Sequence, residues 1–126
     1  MSMRTELGKV RGLGAAHDGT SHFWQQRLTA VFNLFLAIFF VSYVVTHLGA
    51  DRAAIDSSFK NPFVALCFGG LIISTCWHMR LGLQMIIEDY VHAPGTKLAT
   101  LIASSLYAYV LMGLGLLAIL KMFLGA

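Results

Sequence analysis

The chain has 126 residues, of which 57% are hydrophobic and only 12% charged, with a formal net charge of +3. Mean hydropathy is +0.71. Soluble domains carry about 25% charged residues, and so small a core could not enclose this much apolar surface. The composition therefore excludes an ordinary water-soluble domain and makes lipid the expected solvent. The positive excess is small and sits beside an apolar run, which argues against nucleic acid as a partner.

The N-terminal segment, residues 1–27, is polar, glycine-containing and basic, with Arg4, Lys9, Arg11 and Arg27. It shows no short apolar stretch followed by a cleavage site, so a removable signal peptide is not expected. It ends in "SHFWQQRLTA", where His22, Trp24 and Arg27 precede the first span. An interfacial belt explains all three, and so does a site for an anionic group. The first apolar span runs from about Leu28 to Leu48, with Asn33, Ser42 and Thr46 available for helix–helix hydrogen bonds. "GADRAAIDSSFKNP" reads as a turn-rich linker, with Pro62 placed to open the second helix.

The second span runs from Pro62 to about Ile87, and "HAPGTK" is a tight connection broken by Pro94-Gly95. The third runs from about Leu98 to Leu124, with small residues at Ser104, Ser105, Ala108, Gly113 and Gly115 that suit close helix approach. Each span reaches the roughly 20 residues that cross a bilayer core as helix, and only structures that satisfy their own backbone survive there. The expected fold is an all-α membrane protein: a three-helix transmembrane domain, residues 28–126, forming part of a heteromeric helix bundle. Lysine and arginine counts favour a cytoplasmic N-terminus and a periplasmic C-terminus. Cys67 and Cys76 lie on one predicted helix, about 13 Å apart by rise. They cannot bridge each other there and read as small apolar packers.

The polar residues inside the spans carry the functional information. An ionisable side chain in a span costs a few kcal/mol on insertion scales (~2.5–3.5) and faces a protein interior, a cavity or a cofactor. His78 lies about 24 Å by rise from Pro62 and about 18 Å from Tyr90. Neutral imidazole is a ligand for haem iron. Ser74, Thr75 and Gly82 stand a turn away and would let a flat macrocycle approach. A histidine hydrogen-bonded to another helix, with the small residues serving helix contact, fits the same pattern. His47 is near the other end of the first span, on the order of 20 Å from the depth of His78. Any second ligand would therefore come from another chain. Arg80 points away from His78 around the helix and either snorkels or pairs. The "EDYV" ending puts two acids at a helix C-terminus, against the macrodipole. Its phenol and carboxylates suit a soluble partner, a proton path or a quinone carbonyl. No Walker loop, CxxC or nucleophile triad is present, and nothing marks the chain alone as an enzyme.

"HMRLGLQMIIEDYV" has the pattern H-x3-G-x6-D-Y-V in His78, Gly82, Asp89, Tyr90 and Val91. On the second of three spans, this resembles the small haem-b membrane anchors of succinate dehydrogenase, respiratory complex II, of the alphaproteobacterial type. The resemblance runs from about Gly12 to the end, and the H…DY spacing is its most specific part. It implies that His78 is the axial ligand of haem b and its iron. It implies that Tyr90 hydrogen-bonds ubiquinone beside Asp89, and that Arg27 lies near the haem propionates or the quinone pocket. His22 matches a nearby histidine loosely, and no role transfers to Arg80. The implied partners are a flavoprotein carrying FAD, an iron–sulfur subunit and a larger cytochrome b anchor, in a bacterial inner membrane. Two rival readings are a fumarate reductase anchor and a small transporter or helix-bundle scaffold without redox chemistry.

Overall fold

The computed structural model describes residues 6–10 and 18–125. Arg4, Arg11 and His17 lie outside the described residues. The described residues form helices joined by short connections: α1 (Glu6–Val10), α2 (Asp18–Thr46), α3 (Arg52–Phe59), α4 (Pro62–Tyr90) and α5 (Pro94–Leu124). Three helical segments are long and apolar enough to cross a membrane: Thr20–Thr46, Pro62–Tyr90 and Pro94–Leu124. They match the three expected spans.

The boundaries differ in an informative way. α2 begins at Asp18, ahead of the apolar run that starts at Leu28. A helix of 29 residues is about 44 Å long, against a hydrocarbon core of about 30 Å. The surplus is a polar extension carrying Ser21, His22, Gln25 and Gln26. Its polar side chains hid it from a reading based on apolar runs. His22, expected outside the spans, is on this helix. α4 continues to Tyr90, where Val91 N–H donates to the Ile87 carbonyl at 3.0 Å and Lys97 Nζ donates to the Glu88 carbonyl at 2.8 Å. The lysine thus occupies a carbonyl that the helix end would leave open, offsetting part of the cost of Glu88 and Asp89.

The linker is not simply turns. Asp51 caps α3, its Oδ1 accepting from Ala54 N–H at 2.9 Å, which satisfies one of the free donors of a first turn. Phe59, at the end of α3, is buried. It meets Phe68 of α4 at 4.8 Å between ring centroids and Tyr43 of α2 at 5.9 Å. Tyr43 also hydrogen-bonds Ser58. α3 therefore lies across the end of the helices opposite the α4–α5 turn, fastened by aromatic contacts.

α4 is the central helix. It runs antiparallel to both neighbours, since contact residues rise in number on one helix as they fall on the other. Against α2 these are Phe68 with Phe39 and His78 with Thr29; against α5, Gly69 with Leu116 and Arg80 with Ser105. Among the described residues α2 and α5 make no contact with each other. The three long helices are thus a layer rather than a closed bundle, and of the described residues only Phe59, Leu81 and Ala108 are buried.

Gly115 of α5 packs tightly on Ile72 of α4. A Cβ there would lie 2.8 Å from Ile72 Cδ1 and 3.0 Å from its Cγ2, whereas one at Gly113 would meet nothing within 4 Å. Gly115→Val is expected to cost about 1–3 kcal/mol through overpacking, with little change for Gly113→Ala. Thermal unfolding in detergent, run on both variants, checks the contrast.

Candidate functional site

The polar extension of α2 and the last four turns of α4 border two adjoining open cavities. One, of about 520 Å³, is lined by His22, Phe23, Gln26, Arg27, Ala30, His78 and Met85. The other, of about 570 Å³, is more polar and is lined by residues including Ser21, Gln25, Arg80, Gln84, Glu88 and Asp89. His22 and Met85 line both.

His78 sits half-buried on the α2-facing side of α4, and its Nδ1 lies 3.0 Å from Thr29 Oγ1. The same hydroxyl is 2.8 Å from the Gln25 carbonyl and 3.1 Å from the Gln26 carbonyl. Its single proton goes to the carbonyls, which only accept. The hydroxyl oxygen then accepts from Nδ1–H of His78. The other arrangement, with Thr29 donating to Nδ1, would turn its lone pairs onto two carbonyl oxygens. In the neutral ring Nδ1 is therefore the protonated nitrogen, and Nε2 carries the lone pair. No hydrogen bond among the described residues takes up Nε2. An imidazole anchored through one nitrogen and open at the other is the arrangement that presents a metal ligand.

Around it, Ser74 and Gly82 face α2. Ser74 Oγ donates to the Thr29 carbonyl at 3.4 Å, and a Cβ at Gly82 would meet Gln26 Nε2 at 3.6 Å. Arg27 lies over the Phe23 ring, 4.5 Å from its centroid, and no carboxylate pairs with it among the described residues. His22 Nε2 and Gln26 Oε1 are buried without a hydrogen-bond partner. Buried polar atoms left unpaired cost about 1–3 kcal/mol each. The smaller cavity thus combines apolar walls, a guanidinium without a carboxylate partner and an imidazole nitrogen without a hydrogen bond, with the two orphaned polar atoms buried behind its wall. That set suits a flat apolar ligand with an anionic edge and a metal centre. Among the described residues no three His, Cys, Asp or Glu side chains converge on one point, so the imidazole is not part of an all-protein metal cage there.

Arg80 does point away from His78, as helical spacing implied. Its Nε donates to Ser105 Oγ of α5 at 3.4 Å, and its guanidinium lies 5.6 Å from the Trp77 ring centroid and 5.5 Å from that of Tyr109. Trp77 Nε1 donates to Gln25 Oε1 at 3.1 Å, so Trp77 links the α2 extension to the arginine. Asp89 lines the more polar cavity. Tyr90 lines neither; it closes α4 and is 76% exposed. The structure therefore brings His78 and Arg27 to one cavity, sets Asp89 at its neighbour and leaves Tyr90 on the outer rim. His47 is remote: it follows α2, stacks on Tyr43 at 4.1 Å, and its Nδ1–H donates to the Tyr43 carbonyl at 2.9 Å. From Thr29, which touches His78, it is about 27 Å along the helix by rise. The sequence reading missed Thr29 and Gln26. A threonine in a membrane helix bonds its own preceding turn, and only the register between α2 and α4 reveals its second partner.

The chain matches the family model described as succinate dehydrogenase/fumarate reductase transmembrane subunit over residues 1–114. The succinate dehydrogenase hydrophobic membrane anchor subunit of Paracoccus denitrificans is 31% identical over 117 residues, covering 93% of this chain and 90% of that protein. The subunit of the same name from Rickettsia bellii is 26% identical over 105 residues, covering 83% and 84%. The succinate dehydrogenase membrane anchor subunit of Reclinomonas americana is 25% identical over 89 residues, covering 67% and 72%. No solved structure matches this chain. With its three long apolar helices, the chain belongs to the succinate dehydrogenase/fumarate reductase transmembrane subunit family, on the side of the succinate dehydrogenase membrane anchors.

Proposed function

We propose that this chain anchors a succinate dehydrogenase in the bacterial inner membrane, supplies His78 as one axial ligand of haem b, and contributes Tyr90 to the site where ubiquinone is reduced. The observation that carries the reading is the convergence of His78, with Nε2 free of hydrogen bonds, and Arg27, with no carboxylate partner, on one apolar-walled cavity. When bound, haem supplies one-electron storage within the bilayer. His78 would hold it and Arg27 would neutralise its propionates, while His22 and Gln26 would have to turn their buried polar atoms outward to hydrogen-bond its polar edge. His47 is too far away to share the iron, so the second ligand comes from a larger cytochrome b anchor.

In this reading succinate loses two electrons and two protons on a flavoprotein carrying FAD. The electrons cross an iron–sulfur subunit and reach ubiquinone at the cytoplasmic rim, where it takes two electrons and two protons to become ubiquinol. The phenol of Tyr90 donates a hydrogen bond to the quinone carbonyl, and Asp89 at the neighbouring cavity serves proton delivery. The basic N-terminal segment supports an orientation with that rim inside and the C-terminus in the periplasm.

The test is extraction of the tagged chain from native membranes in mild detergent. A flavoprotein, an iron–sulfur protein and a second small membrane subunit are expected to co-purify, with a low-spin haem spectrum. An intact chain that comes out alone would return His78 and Tyr90 to helix contact and interface anchoring.

A further inference from the structure

We infer that Thr29 is a positioning residue for the haem ligand: its hydroxyl fixes the Nδ1–H tautomer of His78, aims Nε2, and tunes the iron through the ring. The inference rests on His78 being the ligand, but it assigns a separate duty to a residue on a different helix. Thr29 Oγ1 is engaged by three groups within hydrogen-bond distance, two backbone carbonyls and the imidazole. The carbonyls belong to residues of its own helix and do not move independently of it. The hydroxyl is therefore held in one orientation, with its acceptor side towards His78. The Thr29 carbonyl also accepts from Ser74 Oγ, one turn before His78 on α4. Backbone and side chain of one residue thus grip the same stretch of α4 at two levels, which fixes both the height and the rotation of the ring.

The chemistry follows from the direction of that bond. An acceptor on Nδ1–H leaves more electron density on the imidazole and makes Nε2 the stronger donor. Ferric iron gains more from a stronger donor than ferrous iron does. Removing the acceptor therefore weakens the ligand and favours the reduced haem.

The experiment uses the assembled complex with Thr29→Val, Thr29→Ser and His78→Ala. Three readouts are taken: the haem spectrum, its midpoint potential, and the rate of haem transfer to an excess of a soluble haem-binding protein. Thr29→Val is expected to keep a low-spin haem, raise its potential and speed haem loss by about 10- to 100-fold, the usual consequence of deleting such a partner. Thr29→Ser, which retains the hydroxyl, is expected to restore both values. Thr29→Val values equal to those of the unsubstituted complex would overturn the inference while His78→Ala still abolished the low-spin spectrum. A shift in Thr29→Val that Thr29→Ser fails to restore would overturn it too, by showing that shape rather than the hydroxyl matters. Where the valine variant does not assemble, Thr29→Ala is judged by the same criteria against Thr29→Ser. An unchanged low-spin spectrum in His78→Ala would remove the ligand reading itself, and this inference with it.

Discussion

In His78→Ala the low-spin haem signal is expected to vanish, with haem content per flavin falling at least about tenfold. The substitution deletes the open nitrogen at the smaller cavity and leaves Thr29 Oγ1 with only its carbonyl partners. No other described histidine can take over from within the same helix contact. His47 is stacked on Tyr43 at the far end of α2, and His92 follows α4 beyond its last turn. His22 lines the cavity but belongs to the α2 extension, where its ring belongs to a different wall. The helices themselves should survive, since His78 contributes one hydrogen bond to a contact that also includes Trp77–Gln25 and Ser74–Thr29. The measurement is a pyridine haemochrome assay against covalent or extracted flavin, with a low-temperature spectrum of the same sample. Full haem content with an unchanged low-spin spectrum would sink the assignment.

Tyr90→Phe is expected to lower quinone reduction by about 100-fold, or about 2.7 kcal/mol of barrier, which is the scale for losing one donor to a developing oxyanion. Electron transfer from succinate to a soluble dye at the flavoprotein should be unchanged. The side chain makes this a clean substitution: it is 76% exposed and makes no described contact that phenylalanine would lose. Assembly and haem content should therefore stay as they are, and the split between the dye and quinone assays isolates the phenol. Full quinone reductase activity in an assembled Tyr90→Phe complex would exclude the hydrogen bond.

The three long helices were legible because lipid demands an unbroken apolar run, and the runs are in the chain. The first ten residues of α2 were not, because Ser21, Gln25 and Gln26 continue the helix above the apolar core, where its sequence looks like that of a loop. α3 was concealed by Ser57, Ser58, Asn61 and Pro62, although Asp51 three residues before Ala54 is a capping signal. At the site, His78 announced itself as an ionisable group in an apolar run, and helical spacing alone put Arg80 on another side. Its partners Ser105 and Tyr109, like the partnership of Thr29 with His78, depend on how neighbouring helices slide against one another. A single sequence records the periodicity of each helix but not that register.

The layer arrangement bears on the order in which the protein is built. α4 has one neighbour on each side, α2 and α5, which do not meet. The cavities holding Arg27, His22 and Gln26 therefore open out of the layer. A newly inserted copy leaves those cavities uncovered at the rim of the apolar core. Its folded population is then tied by mass action to whatever covers them. Synthesis of this chain in step with a covering partner, rather than ahead of it, would shorten the time any copy spends uncovered.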